Sequence, residues 1–180
     1  MIAPDVVLTA GHCSGRGLSS PGAEYDVVVG RNDLRRYWTG RRMVVREEVR
    51  HPDYQEDTAD FDFNLIFLRV GATWSDVEYV KLNDDPEVPV EPSQEKRTGE
   101  PLTVVGWGDI DAREDVNVGS YVLMETEIYA LTNRECNLAS GTFNGPQGEV
   151  WTNYDGGITD NMLCAMANGT DACQVSLGAV

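Results

Sequence analysis

The stretch Leu8-Thr9-Ala10-Gly11-His12-Cys13 constrains this chain more than any other. An apolar run at residues 6–8 predicts a short buried strand, and a histidine comes where that strand ends. A strand end is a rigid support for a general base, and histidine is the side chain whose proton equilibrium lies nearest neutral pH. These residues alone favour a histidine that is merely packed at a strand end, so a catalytic assignment depends on motifs farther along the chain.

The composition predicts an all-β protein with little helix. Eighteen glycines and eight prolines separate many short apolar runs in the 180 residues, which is typical of strands and turns. Thr132 and Glu135 have the spacing of a capping box, which predicts one short helix near residues 132–138. A segment rich in proline and charge predicts a linker at 83–98, between an N-terminal domain at 1–82 and a second domain at 99–180. We expect short extended segments at 25–29, 43–49, 65–70, 80–82, 102–105, 121–128 and 162–165, and a long loop at 140–160.

The charge excludes some partners and is unevenly distributed. A formal net charge of −16 argues against nucleic acid or an anionic membrane as a partner. No apolar run approaches the eighteen residues of a membrane span, and residues 1–10 lack the basic start of a signal peptide. Seven of the fourteen basic residues are arginines that lie between residues 31 and 50. A solvated hairpin is the preferred interpretation of this cluster, and a local anion or polyanion site is the alternative.

A second candidate for chemistry comes fifty residues after His12. Asp62 lies at the mouth of the continuous apolar run at residues 65–68. A half-buried carboxylate there needs a partner. A histidine ring would serve, because the acid would accept a hydrogen bond from one ring nitrogen and fix the tautomer. The alternative is an aspartate that caps or closes a loop. The four cysteines lack CxxC spacing, which argues against a zinc site, and spacing alone does not choose among their three full pairings.

Seven motifs occur in the order that they have in the chymotrypsin-like (trypsin-type, S1 family) serine proteases, and the chain resembles that family over nearly all of its length. They are the residues at 3–13, then His51-Pro52-Asp53-Tyr54, Asp62-Phe63-Asn64-Leu65, Val105-Gly106-Trp107-Gly108, Glu135-Cys136-Asn137, Asn161-Met162-Leu163-Cys164-Ala165 and Asp171-Ala172-Cys173-Gln174. The resemblance implies a double antiparallel β-barrel whose second barrel is incomplete.

The resemblance also implies a set of site residues. It makes His12 the general base, Asp62 its orienting acid, and Asp171 the carboxylate at the floor of a pocket for Lys or Arg, where the alternative is an ordinary surface acid. It pairs Cys136 with Cys164. It implies no cofactor and no metal, because the loop that binds calcium in some members is rich in arginine here. The implied partners are polypeptide substrates or protein protease inhibitors, and the implied protein is a secreted monomer.

The chain departs from the family where the nucleophile belongs. Members continue with Gly-Asp-Ser-Gly-Gly-Pro, whereas here Leu177 occupies the place of the serine and Ser176 could serve only if one residue were deleted. Val175 replaces a glycine beside the oxyanion, where its Cβ would crowd a donor N–H. We also expect a chain that is truncated at both ends, which would leave Cys13 and Cys173 without partners. The sequence therefore predicts a serine endopeptidase by descent in an incomplete, inactive version. The alternative is a non-catalytic protease-like binding module.

Overall fold

The computed structural model describes residues 1–15, 25–75, 77–86, 88–89, 99–108, 119–145 and 148–167. The chain divides into two compact units, one of residues 1–83 and one of residues 84–179. Strands dominate the described residues, which contain one α-helix and one short 3₁₀ turn. The predicted all-β fold class is thereby confirmed. No helix in the described part of the chain has the length and apolar character needed to cross a bilayer.

The first unit is built on a four-stranded antiparallel sheet. Its strands are β1 (Val6–Thr9), β2 (Asp26–Val29), β3 (Arg41–Arg50) and β4 (Asn64–Leu68), and their order in the sheet is β1-β4-β3-β2. Successive side chains of a strand point to opposite faces of a sheet. In β4 the buried positions are Asn64, Ile66 and Leu68, so that face points into the unit. The expected strands at 25–29, 43–49 and 65–70 are therefore present with ends that differ by one or two residues.

One face of this sheet carries the core of the unit. Its buried members are Val7, Met43, Ile66, Leu68 and Ala72. Burying one such large aliphatic side chain stabilises the fold by roughly 1.5–3 kcal/mol. The register pairs Val7 with Ile66, so the strand that leads to His12 is fixed to the central strand by its most buried residue.

The second unit contains a three-stranded sheet, a helix and a hairpin. Strands β5 (Pro101–Gly106), β6 (Met124–Leu131) and β9 (Cys164–Met166) form the sheet in the order β5-β6-β9. Helix α1 (Asn133–Leu138) begins at Thr132, whose side chain accepts a hydrogen bond from the backbone N–H of Glu135, while the Glu135 side chain accepts one from the backbone N–H of Thr132. The predicted helix and its capping box are both confirmed.

The expected loop at 140–160 is wrong for its first part. Strands β7 (Ser140–Gly145) and β8 (Gly148–Asn153) form an antiparallel hairpin there. The register pairs Thr142 with Trp151 and Phe143 with Val150, which are residue types that favour strands. The glycines and asparagines around them obscured this pattern in the sequence.

Three of the other expected segments were misplaced. Residues 80–82 form no strand. The Val80 N–H bonds the Met1 carbonyl and the Val80 side chain is exposed, but this pairing does not extend into a ladder. The strand expected at 121–128 begins at Met124, because the Ser120 hydroxyl bonds both backbone groups of Val122 and holds a turn. The segment expected at 162–165 begins at Cys164, where pairing with β6 starts.

Candidate active site

His12 lies in a short turn directly after β1. The 3₁₀ turn Gly11–Cys13 is closed by backbone bonds from Cys13 to Ala10 at 3.1 Å and from Ser14 to Gly11 at 3.0 Å. The His12 side chain is 49% exposed, so one edge of the ring meets solvent while the main chain beneath it is fixed. The structure therefore places His12 just beyond the predicted strand, in a turn that its backbone hydrogen bonds close.

Asp62 binds both the main chain and the ring of His12. Its Oδ1 accepts the backbone N–H of His12 at 2.7 Å, and its Oδ2 lies 2.7 Å from Nδ1 of the ring. An ionised carboxylate only accepts hydrogen bonds, so Nδ1 carries the proton and Nε2 of the neutral ring keeps its lone pair. The predicted proximity of the two side chains is confirmed, and in the Nδ1–H tautomer the free lone pair of the ring lies at Nε2.

The pairing of β1 with β4 brings together these two residues, which are fifty positions apart. Thr9 at the end of β1 faces Asn64 at the start of β4, so the segment after one strand meets the segment before the other. Gly11 permits the close approach. A Cβ on Gly11 would lie 3.1 Å from Oδ1 of Asp62, 3.1 Å from the Tyr54 ring and 3.2 Å from the backbone nitrogen of Phe63. Each of these contacts is tighter than most Cβ contacts in proteins, so the neighbouring atoms would have to shift by a few tenths of an ångström.

The backbone around Asp62 is held in an uncommon conformation. Phe61 has φ +52°, in the left-handed region that bulky residues rarely adopt, and Phe63 N–H bonds the Phe61 carbonyl at 2.7 Å. The His51 ring stacks on Phe61 with centroids 4.8 Å apart and planes 10° from parallel, and the His51 N–H bonds the Phe63 carbonyl at 2.9 Å. Such strain persists where the surroundings enforce it. Sequence reasoning missed this support, because no pattern signals a phenylalanine with positive φ.

An open depression of about 370 Å³ lies beside the histidine. His12, Ser14, Arg50, Tyr54 and Glu56 line it. The Arg50 guanidinium lies 5.0 Å from the centre of the Tyr54 ring, a cation–π contact that fixes this wall. The depression therefore brings polar and aromatic side chains next to the His12 ring.

Some of the other predicted site residues lie in the described part of the chain, and the rest lie outside it. Cys136 and Cys164 form a disulfide with Cα atoms 6.4 Å apart, and it joins α1 to β9. Within the described residues Cys13 is a free cysteine. No group of three or more His, Cys, Asp or Glu side chains in that part of the chain is placed to hold a metal ion. Residues that lie outside the described ranges are Asp171, Cys173, Val175, Ser176 and Leu177.

Comparison with known proteins identifies one family. The profile of the Trypsin family matches residues 1–175. Trypsin 5G1 of Aedes aegypti is 32% identical over 176 residues, which are 96% of this chain and 55% of that protein. Tryptase of Mus musculus is 30% identical over 182 residues, covering 99% of this chain and 60% of that protein. Tonin of Rattus norvegicus is 29% identical over 185 residues, covering 96% and 60%.

The fold is also that of a solved protease structure. The structure of neuropsin, a serine protease expressed in the limbic system of mouse brain, superposes with a TM-score of 0.72 over 99% of this chain and 67% of that chain, at 24% identity. This match supports the trypsin-type fold. The chain spans less than two thirds of the length of these curated relatives.

Proposed function

This chain belongs to the trypsin family of chymotrypsin-like serine proteases, and we propose that its His12–Asp62 pair is the base and orienting acid of a serine endopeptidase. The observation that carries the proposal is the double contact of Asp62 with His12, at 2.7 Å to the ring and 2.7 Å to the main chain. In this proposal residues 1–82 form the N-terminal barrel and residues 99–180 form part of the C-terminal barrel, joined by the linker at 83–98.

In the reaction, Nε2 of His12 takes the proton of a serine hydroxyl while the serine oxygen attacks the peptide carbonyl. The imidazolium then returns that proton to the leaving amine. Asp62 stays ionised throughout, holds the ring in the Nδ1–H tautomer and stabilises its positive charge. In a second round of the same proton transfers, a water molecule attacks the acyl-enzyme and releases the acyl product.

The substrate is proposed to be a polypeptide cleaved after Lys or Arg. Support for this comes from the motif that contains Asp171, since a carboxylate in a narrow slot favours a cationic side chain. The disulfide between Cys136 and Cys164 supports secretion into an oxidising compartment. Protein protease inhibitors are the second class of partner in this proposal, and the working form is a monomer.

The chain as written is proposed to lack turnover of its own. Leu177 has no nucleophilic atom, and Val175 would crowd the oxyanion donor. Ser176 remains only a weak candidate for the nucleophile. A non-catalytic protease-like binding module is therefore the second candidate, and the observation that favours it is the exposed pair of aromatic rings at Tyr37 and Trp38.

Two measurements test the proposal. The chain as written is treated with a fluorophosphonate probe, which labels activated serines, and with a Lys or Arg ester, beside a His12→Ala control. We expect no labelling of the chain as written, and we expect it to hydrolyse the ester no faster than the His12→Ala control does. The source transcript is then read past the Val180 codon.

A Gly-Asp-Ser-Gly-Gly-Pro in any frame of that transcript supports the enzyme, and the corresponding protein should label strongly and lose labelling on His12→Ala. A confirmed stop supports the binding module. Labelling of the chain as written that His12→Ala abolishes would show that Ser176 or another group is the nucleophile.

A further inference from the structure

His51 is the second of the two histidines in this chain, and the proposed reaction does not use it. It follows β3 directly, and its backbone N–H bonds the Phe63 carbonyl at 2.9 Å. This bond extends the pairing of β3 with β4 one step beyond the last ladder pair, which joins Arg50 to Asn64. His51 is therefore fixed beside the segment that carries Asp62.

Asp62 lies at the centre of a three-residue turn, the Asp62 turn (residues 61–63). The Phe63 N–H bonds the Phe61 carbonyl at 2.7 Å, so the bond joins the two neighbours of Asp62. Phe61, the first residue of the turn, has φ +52°. A left-handed backbone is disfavoured roughly 5- to 30-fold for a residue with a side chain. The turn therefore needs support from its surroundings.

His51 contacts both ends of the Asp62 turn. Its ring stacks on the Phe61 ring with centroids 4.8 Å apart and planes 10° from parallel. The Phe63 ring lies 6.5 Å from the His51 ring, with the two planes at 60°. Aromatic pairs at these separations attract each other beyond the effect of the apolar area that they bury. With the bond from its N–H to the Phe63 carbonyl, His51 is thus bound to the first and the last residue of the turn.

The His51 ring also has a fixed orientation. Its Nδ1 accepts the backbone N–H of Asp53 at 3.2 Å, and the Tyr54 N–H bonds the His51 carbonyl at 3.1 Å. These two contacts of the ring can be removed separately. Asparagine at position 51 keeps an oxygen that can accept the Asp53 bond but loses the stack, whereas phenylalanine keeps the stack and has no acceptor.

We propose that His51 is a positioning residue for the reaction of His12 and Asp62, because its stack on Phe61 holds the Asp62 turn in the conformation that directs the carboxylate at His12. The carboxylate oxygens make two contacts of 2.7 Å with His12. Only the Cα–Cβ and Cβ–Cγ bonds of Asp62 can rotate between those oxygens and the main chain. A change in the backbone of the turn therefore alters both contacts. The proposal rests on the proposed function, since His51 acts only through the His12–Asp62 pair.

The test follows the Nδ1 proton of His12 by NMR, in the full chain labelled with nitrogen-15 at histidine. The chain has two histidines, so every variant of His51 leaves a single labelled ring. The exchange of this proton with water is measured beside the exchange of the Val7 and Ile66 amides, which report on the core.

Two substitutions of His51 separate the stack from the hydrogen bond. His51→Asn should speed exchange of the His12 Nδ1 proton roughly 5- to 30-fold, the factor by which the left-handed conformation is disfavoured, with a smaller change at the two core amides. His51→Phe keeps the stack and should leave the exchange nearly unchanged. The matched control is Trp38→Ala, which removes an exposed ring that meets Tyr37 edge to face and should change nothing at His12.

A substitution of Phe61 tests the same contact from the other side. Phe61→Gly removes the stack, but glycine adopts a positive φ without steric cost. The His12 Nδ1 proton should therefore still exchange slowly in Phe61→Gly. Adding His51→Asn to Phe61→Gly should have no further effect, because the stack is already absent and the turn no longer depends on it.

Four results would overturn the role of His51. The first is unchanged exchange of the Nδ1 proton in His51→Asn. The second is acceleration of that proton and of the Val7 and Ile66 amides by the same factor, which would mean that His51 only stabilises the unit. The third is an equal effect of His51→Asn and His51→Phe. The fourth is loss of the slowly exchanging proton in Phe61→Gly.

A different result would contradict the proposed function itself. If the unmodified chain carries no proton on Nδ1 of His12, the His12–Asp62 pair is absent and the role of His51 fails with it. The four results above leave that pair intact in the unmodified chain, so the two failures are distinguishable.

Discussion

Gly11→Ala tests whether the close approach of the 3₁₀ turn to Asp62 holds the site together. The new methyl group would stand 3.1 Å from Oδ1 of Asp62, 3.1 Å from the Tyr54 ring and 3.2 Å from the Phe63 backbone. The Phe63 backbone cannot move aside cheaply, so we expect the Tyr54 ring and the Asp62 carboxylate to shift by a few tenths of an ångström. We expect this shift to lengthen and weaken the bond from the His12 backbone N–H to Oδ1 of Asp62.

Two opposing effects set the magnitude of the change. Overpacking of this kind costs roughly 1–3 kcal/mol. Replacing glycine by alanine returns about 0.4–1 kcal/mol by reducing the freedom of the unfolded chain. The two ranges leave a net loss of about 0–2.6 kcal/mol, and we expect Gly11→Ala to lower the free energy of unfolding of the first unit by about 1.3 kcal/mol.

Native-state hydrogen exchange measures this change within the first unit, since it reports the opening free energy at single amides. The buried residues Val7 and Ile66 are the reporters. Gly141→Ala is the matched control, because no atom lies within 4 Å of its added Cβ, and it should leave both reporters unchanged. Equal protection of Val7 and Ile66 in Gly11→Ala and the unmodified chain would refute the packing argument.

Three further predictions concern stability. The disulfide links residues that are 28 positions apart. The Cys136→Ser, Cys164→Ser double variant should therefore lose about 3.6 kcal/mol of unfolding free energy in the chain-entropy model, which urea denaturation measures. Among the described residues the Asn64 side chain is buried without a hydrogen-bond partner, so Asn64→Val should raise stability by about 1–3 kcal/mol; a lower melting temperature would mean that Asn64 has a partner. The pKa of Asp33 is lowered in the fold. Ionised Asp33 therefore stabilises the fold at neutral pH, and this stabilisation is lost as the pH falls through the lowered pKa. Asp33→Asn should therefore be less stable than the unmodified chain at pH 7, and the difference in melting temperature should shrink below about pH 4.

The sequence predicted elements whose cause is local. The apolar runs gave the strands of the first unit, because burial on one face fixes both strand position and register. Helix α1 was predictable from Thr132 and Glu135, since the capping box needs only four residues in the right order. The seven arginines between 31 and 50 lie on the β2–β3 hairpin and are mostly exposed, as the preferred interpretation of that cluster requires, and its choice over an anion site stays a prediction.

The sequence could not predict features that depend on distant contacts. Phe61 has a left-handed backbone that no propensity favours, and its ring stacks on His51, ten residues earlier. The β7–β8 hairpin was missed because its strand-favouring residues are few and lie among glycines. The proximity of His12 and Asp62 was predictable only through the family order of motifs, because residues fifty apart meet solely by the pairing of β1 with β4.

The most direct test of the account is the tautomer of His12. Nitrogen-15 NMR of the full chain, at a pH where the ring is neutral, distinguishes a proton on Nδ1 from one on Nε2. The 2.7 Å contact with Asp62 predicts the Nδ1–H tautomer, lost in Asp62→Ala and retained in Asp53→Ala, the control acid beside His51. A proton on Nε2 in the unmodified chain, or an Nδ1–H tautomer that survives Asp62→Ala, would contradict the claim that Asp62 prepares His12 as a base.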